Sequence, residues 1–311
     1  MLYVVTATLN GLQYTQRLIE GLGRVGMAEP LRVVVIDNGS TDGTPEYLCD
    51  TYKGRQVLVV RNQGNTGVGA AWNLGIRIAL LNQAEAVLVC GNDTVPMPGA
   101  VERLYALSAS GVPFVTGTQV PYDEPDISVP PADVNDPLLA APDFSFFLMN
   151  ANVPNVLGNW DVQHEVSTRR QLGADAPLPA VAMNPWEWGL FDSRYFPAFF
   201  EDNDYHHRLQ QAGILAVRDP GALFRHKCSA TLQLNPDVAE MNKSTFGRNA
   251  ELFKAKWGGY PQEVGLQQAR PLNVTEEQWS AMSAGHPVAM VPQERVVAQA
   301  RETYRRYGIP V

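Results

Sequence analysis

The densest run of reactive side chains is Phe196-Pro197-Ala198-Phe199-Phe200-Glu201-Asp202-Asn203-Asp204. Three carboxylates, Glu201, Asp202 and Asp204, open a helical pattern that continues to Ala212 and stops at Gly213. Acids at a helix start are stabilised by the macrodipole, which explains one or two of them. It does not explain the aromatic shelf of Phe196, Phe199 and Phe200. Apolar rings beside a carboxylate exclude water and raise its basicity, as a general base requires. Trp186 and Trp188 stand upstream, where an indole can stack on a sugar ring or pack into a core. His206 and His207 read as a solvated helix face with a minor part in an acceptor groove.

Four other segments carry polar groups at the ends of apolar runs. Asp37, in Ile36-Asp37-Asn38-Gly39-Ser40-Thr41-Asp42-Gly43, can accept the imide N–H of a uracil or thymine ring. The same residue types also simply make turns. Asn65-Thr66-Gly67-Val68-Gly69 opens a helix, and its glycines allow a phosphate or sugar to approach backbone amides, or merely connect strand to helix. It has neither the Walker lysine nor the GxGxxG spacing. Asp93, in Gly91-Asn92-Asp93-Thr94, can hold a divalent cation that neutralises a leaving diphosphate, or cap the turn before Pro96. His226 follows an apolar run, and a single histidine is usually structural.

The elements that must position these groups alternate. Strands are expected at Tyr3–Thr8, Arg32–Asp37, Gln56–Arg61, Ala86–Cys90, Pro113–Gly117 and Leu215–Val217. Helices lie between them: one burying Tyr14, Leu18, Leu22 and Val25, one from the Thr44 N-cap to Lys53, one from Gly67 burying Ala71, Leu74 and Ile78, and one after Pro98. Such alternation implies parallel pairing with both faces covered, and ligands then bind outside the carboxyl ends of the strands. The proline- and acid-rich stretch from Tyr122 to Asp143 reads as an extended loop. Periodicity resumes near Phe144. Helices are expected near Thr245–Lys256 and Gln293–Tyr307.

Composition narrows the function classes. The chain has 311 residues, 45% of them hydrophobic and 18% charged, enough for a sizeable core. Its net charge of −8 argues against gripping nucleic acid by bulk electrostatics. No apolar run approaches the ~20 residues of a membrane helix, and the amino terminus lacks signal-peptide features. Cys49, Cys90 and Cys228 form neither a disulfide framework nor a zinc pattern, which fits a cytoplasmic protein.

Read in order, these segments resemble the inverting family 2 glycosyltransferases, with bacterial and phage rhamnosyl- and galactofuranosyltransferases the nearest in kind. The resemblance spans Thr6–Thr118 and Trp186–Thr231. It rests on Thr8-Leu9-Asn10-Gly11, the Asp37–Gly43 run, Asn65–Gly69 with Asn73 and Gly75, and Asn92-Asp93-Thr94. It continues through Phe191-Asp192, the Phe199–Asp204 run with Arg208, and His226 followed by Ser229-Ala230-Thr231. Lys256-Trp257-Gly258-Gly259 is similar to a tail element in some relatives.

The resemblance implies an α/β fold of the GT-A (Rossmann-like) type, with a mainly parallel sheet flanked by helices and a C-terminal helical extension. Residues 1–120 would form the nucleotide-sugar half, 121–235 the acceptor-binding and catalytic half, and 236–311 the extension. Thr8 and Asp37 would hold base and ribose, and Gly67 and Asn92 would lie along ribose and diphosphate, with Asn10 and Asn65 also on the donor side. Asp93 would be the last acid of the DxD motif, and His226 would complete a Mn²⁺ or Mg²⁺ site. Asp202 is the implied general base, Glu201 the alternative, and Asp204 would orient the helix or bind acceptor beside Trp186 and Trp188. The first DxD acid is absent, Gly91 standing in its place.

The implied reaction moves a sugar, from a UDP- or dTDP-sugar by preference, to a glycan, lipid-linked saccharide, protein or modified nucleobase. Rival readings are sugar-phosphate nucleotidyl transfer, which wants a basic glycine-rich loop after the first strand, and non-catalytic carbohydrate binding, which has no need of clustered acids.

Overall fold

Apolar β-branched runs make the centre of one sheet. The computed structural model describes residues 1–28, 31–52, 57–122, 142–172, 183–266 and 270–271. In chain order the first half contains β1 (Leu2–Thr8), α1 (Leu12–Leu22), β2 (Arg32–Asp37), α2 (Thr44–Tyr52), β3 (Val57–Arg61), α3 (Val68–Leu81), β4 (Ala86–Gly91), β5 (Thr94–Pro96), α4 (Ala100–Ala109) and β6 (Phe114–Pro121). The second contains β7 (Phe146–Asn150), α5 (Val153–Leu172), a 3₁₀ turn (Pro185–Glu187), α6 (Glu201–Gln211), β8 (Ala216–His226), α7 (Ala230–Leu234), α8 (Pro236–Trp257) and β9 (Arg270–Pro271).

The described strands form one sheet in the order β3-β2-β1-β4-β7-β6-β8-β5, with β9 on β8. Parallel pairing runs from β3 through β4 and joins β6, β8 and β9; β7 and β5 pair antiparallel to their neighbours. The α/β class is therefore as expected. The boundary placed after residue 120 falls inside β6, whose neighbour β8 comes from the second half, so the two halves share the sheet.

Strand alternation supplies both faces of the core. Val5, Val34 and Ile36 pack with Trp72 and Ile76 of α3 and with Tyr205 and Leu209 of α6. Val4, Val33 and Val35 pack under Leu18 and Ile19 of α1 and Leu104 of α4. A third cluster joins Tyr195 and Phe200 to Phe246 and Phe253 of α8. Helix α3 lies close to the sheet because Gly75 carries no side chain: a Cβ there would fall 2.3 Å from Val5 Cγ1.

Several expectations shift in detail. On α3 the deeply buried residues are Ala71, Trp72, Ile76 and Ala79, whereas Leu74 and Ile78 are half-buried. On α1, Ile19 takes the core position expected of Tyr14, and Val25 lies beyond the helix end. Asp42 rather than Thr44 accepts an N–H at the start of α2, from Thr44 itself at 3.0 Å. The stretch 123–141 of the expected loop and the expected helix at Gln293–Tyr307 lie outside the described residues.

Candidate active site

Parallel register brings the polar strand ends to one edge. Thr8 is paired with Asp37, Ala7 with Gly91 and Asp37 with Arg61. Side-chain hydrogen bonds then join neighbouring ends. Asn92 Nδ2 donates to Thr8 Oγ1 at 3.2 Å, and the Thr8 and Thr15 hydroxyls lie 2.8 Å apart. Asn10, at φ 47°, accepts from the Thr41 and Asp42 amides at 2.6 and 3.2 Å and donates to Asn235 Oδ1 at 2.6 Å. Asn235 stands just before α8, so the C-terminal extension buttresses the first strand end.

Asp37 is fully buried. Its Oδ1 accepts the Ser40 amide at 2.8 Å, while Oδ2 has no hydrogen-bond partner and faces Arg61 Nε at 3.5 Å. A dry acceptor of this kind suits a ring N–H. Asn38, a hub that sequence reasoning did not single out, accepts from Asn62 Nδ2 at 2.9 Å and Thr66 Oγ1 at 2.8 Å. It donates to Asn65 Oδ1 at 3.2 Å and Gly67 O at 3.3 Å. Gly67 has φ 85°, and a Cβ on it would meet the Phe196 ring at 2.9 Å. The glycine loop is thereby pressed against Phe196-Pro197, and Val68 N–H donates to Pro197 O at 2.9 Å. A Cβ on Gly69 would lie 3.7 Å from Glu201 Cβ, which ties the loop to the acidic helix start.

That helix start separates three carboxylates into three environments. Glu201 is buried with Oε2 unpartnered; burial, with the Asp202 charge adding, holds its carboxyl well above the usual range. Asp202 is partly exposed and accepts the Asn203 amide at 2.8 Å. Burial raises its pKa, Asp143 adds to the rise, and the backbone N–H bonds oppose it. Asp143 is a second residue the sequence did not flag; its Oδ1 accepts from Ser145, whose carbonyl accepts Gly91 N–H at 2.9 Å.

Asp204 is enclosed completely. It accepts from Arg208 Nε at 2.9 Å, Trp257 Nε1 at 2.9 Å and Tyr195 Oη at 3.4 Å, and Lys256 Nζ lies 2.6 Å away. Arg208 also reaches Asp161 at 3.1 Å, and Lys256 reaches Asp192 at 2.9 Å. Such a carboxylate has no face left for an acceptor, which corrects the acceptor-binding expectation; it orients the helix.

The aromatic expectation also changes. Phe199 and Phe200, both at positive φ (72° and 75°), turn to Phe246 of α8 at 5.5 and 5.1 Å and anchor the extension instead of walling a carboxylate. His206 and His207 are buried, His207 against Trp257 at 4.6 Å, so the solvated face is overturned. Trp186 is 80% exposed and Trp188 partly buried, which leaves Trp186 open for stacking.

The Asp93–His226 pair forms where β5 meets β8, with Thr94 opposite His226. His226 Nε2 lies 3.4 Å from Asp93 Oδ1, and Asp93 Oδ2 accepts the Ala230 amide at 3.2 Å. Burial would raise the Asp93 carboxyl, but His226 and the Ala230 N–H hold it below its ordinary value. Two donors so spaced fit neighbouring positions on one cation. Among the described residues there is no group of three His, Cys, Asp or Glu placed to hold a metal. Further positions would fall to diphosphate oxygens and water, as is usual for Mg²⁺-type sites. A Cβ on Gly91 would lie 2.8 Å from Asp93 Oδ1, so a side chain at that position would have to move the Asp93 carboxylate.

Comparison with known proteins agrees. Residues 3–157 match glycosyl transferase family 2. The N-acetylglucosaminyl-diphospho-decaprenol L-rhamnosyltransferase of Mycobacterium tuberculosis is 27% identical over 284 residues, covering 83% of this chain and 86% of that protein. Among solved structures, S. aureus TarS 1-349 is 14% identical with a TM-score of 0.46, covering 96% of this chain and 82% of that one. The mannosyltransferase PcManGT from Pyrobaculum calidifontis in complex with GDP-Man and Mn²⁺ is 16% identical with a TM-score of 0.47, covering 98% and 81%. With the motifs in order along one strand edge and the match spanning β1 to the start of α5, residues 3–157 are a glycosyl transferase family 2 domain and the chain is a glycosyltransferase.

Proposed function

We propose that the chain transfers a sugar from a nucleoside-diphosphate donor, carrying uracil or thymine, to an acceptor hydroxyl with inversion of configuration. Family membership sets aside the nucleotidyltransferase and carbohydrate-binding alternatives. One observation carries the reading: Thr8, Asp37 and Gly91 end at one strand edge, with the Asp93–His226 pair two residues beyond Gly91 and the Glu201 helix start packed against Gly69 at the start of α3.

In this reading Asp37 accepts the imide N–H of the base, with Thr8 beside the ribose, while Asn10, Asn38, Asn65 and Gly67 hold the loops that shape the donor cleft. The α3 start turns its positive dipole end toward the diphosphate. Asp202 takes the proton from the acceptor hydroxyl as it attacks the anomeric carbon in a single in-line displacement. Its raised pKa improves the base. Glu201, whose charged form burial disfavours more strongly, is the poorer base. Asp93 and His226 are the residues that would hold Mn²⁺ or Mg²⁺, which when bound stabilises charge on the departing diphosphate.

The name of the mycobacterial relative favours a rhamnose-like sugar and a lipid-linked saccharide over glycan, protein or modified nucleobase as acceptor. No helix among the described residues is long and apolar enough to cross a membrane, and a cytoplasmic location belongs to the same reading, supported by three unpaired cysteines. A thermal-shift series with UDP, dTDP, ADP and GDP, with and without Mn²⁺, tests the donor. A nucleotide at ~100 times its dissociation constant should stabilise by about 2.7 kcal/mol. Equal binding of ADP would remove Asp37 from base recognition.

A further inference from the structure

His226 ends β8 and stands between two neighbouring strands. Its partner on β5 is Thr94, the residue after Asp93, and its partner on β6 is Pro121. The imidazole ring spans the gap between them. Nε2 lies 3.4 Å from Asp93 Oδ1, and Nδ1 lies 3.1 Å from Oε1 of Gln119, a β6 residue. Cys228 Sγ lies 3.4 Å from the same Nδ1 and accepts from Gln119 Nε2 at 3.3 Å. The two ring nitrogens therefore have separate surroundings, a carboxylate on one and an amide with a thiol on the other.

The hydrogen-bonding capacities order this cluster. A carbonyl oxygen can only accept, so Gln119 Oε1 requires a hydrogen on Nδ1, and in a neutral imidazole the other nitrogen then has its lone pair free. That nitrogen is Nε2, the one facing Asp93. A carboxamide turned the other way would point its NH₂ at Nδ1 and leave the hydrogen on Nε2, where it would block a cation. The Cys228 sulfur opposes that turn by taking the amide N–H. The backbone delivers the sulfur: Cys228 and Ser229 both have φ 57°, uncommon for residues with side chains. The same turn returns the Ala230 amide to Asp93 Oδ2 at 3.2 Å.

We propose that Gln119 is a positioning residue for cation binding, which keeps the His226 hydrogen on Nδ1 and presents Nε2 beside Asp93, and that Cys228 orients the Gln119 amide. The inference rests on the reading of Asp93 and His226 as the cation-holding pair. Gln119 and Cys228 act through the ring, as hydrogen-bond partners behind a metal-ligating histidine do.

The test titrates Mn²⁺ calorimetrically into the full chain saturated with UDP or dTDP, whichever binds more tightly, and titrates that nucleotide into the chain without Mn²⁺. Gln119→Leu should raise the Mn²⁺ dissociation constant by about 10–100-fold, the usual effect of removing such a partner. Its nucleotide affinity without Mn²⁺ should stay within twofold. Gln119→Glu, whose carboxylate still accepts from Nδ1, should recover most of the loss. Cys228→Ala should weaken Mn²⁺ binding when Gln119 is present and have no further effect beside Gln119→Glu, because a carboxylate has no N–H to misdirect. Melting curves establish that each variant is folded. A Gln119→Leu constant within twofold of wild type, an equal loss in Gln119→Glu, or a Cys228→Ala effect that is the same in both backgrounds would overturn the proposal while Asp93→Asn still loses Mn²⁺. Mn²⁺ binding that is absent from wild type or unchanged in Asp93→Asn would overturn the cation reading, and this inference with it.

Discussion

His226 Nε2 stands 3.4 Å from Asp93 Oδ1, two side chains brought together by the short antiparallel ladder of β5 on β8. The ladder fixes the pair without a ligand, and the Ala230 amide on Oδ2 fixes the carboxylate from its other side.

From this geometry, Asp93→Asn and His226→Gln should each weaken the Mn²⁺-dependent part of nucleotide binding by more than about tenfold, since even outer-shell partners of a metal carry that much. Gly91→Asp, which restores the missing family acid, should do the same, because its Cβ would lie 2.8 Å from Asp93 Oδ1 and move that carboxylate. Calorimetric titration of UDP or dTDP at fixed Mn²⁺ gives the comparison. An unchanged Mn²⁺ response in Asp93→Asn would end the shared-site assignment.

The base assignment divides Asp202 from its neighbours. Asp202→Asn should slow transfer by about 10²–10⁴-fold, the usual range for a lost general base, with donor affinity retained. Glu201→Gln should fall much less, because burial disfavours the charged form of that carboxyl. Single-turnover transfer at saturating donor is the measurement. A rate for Asp202→Asn within threefold of wild type would shift the role to Glu201.

Asp204 belongs to a different experiment. Its carboxylate balances Arg208 and Lys256, and removing one member of a buried ion pair typically costs about 3–5 kcal/mol. Asp204→Asn should therefore lower the melting temperature sharply while the folded fraction keeps its acceptor KM. A raised acceptor KM with unchanged melting would return Asp204 to the acceptor site.

What was legible in the sequence follows from distance along the chain. Asp37, Asn92 and Asp93 were readable because parallel strands end together, so local periodicity alone predicts that Thr8, Asp37 and Gly91 share an edge. The role of Asp204 was not, since its partners Lys256 and Trp257 lie in a helix end whose docking no local pattern encodes. The phenylalanines misled for the same reason. A ring beside an acid in sequence can turn either way, and Phe199 and Phe200 turned to Phe246, 46 or more residues downstream of them in α8. His206 and His207 sit in a stretch too polar to look buried, yet α8 and Phe144 cover them.

The buried Glu201 and His206 should leave opposite marks on stability against pH. Burial pulls His206 down to about 4 from an ordinary 6.5, so between those values the unfolded chain binds more protons and stability rises with pH. Glu201 is held well above its ordinary 4.5, so above 4.5 the folded chain binds more protons and stability falls as pH rises toward the folded value. Glu201→Gln removes that fall. A buried amide with no partner carries its own cost, but that cost does not vary with pH. The readout is therefore the change in the melting difference between variant and wild type from pH 4 to pH 8. It should move in favour of Glu201→Gln as pH rises, by about 2–4 °C for each kcal/mol of ionisation cost removed. His206→Gln should instead flatten the rise between pH 4 and 6.5. A Glu201→Gln difference that stays constant across the series would mean that Glu201 ionises in the folded protein as freely as in the unfolded chain, and it would then compete with Asp202 for the role of base.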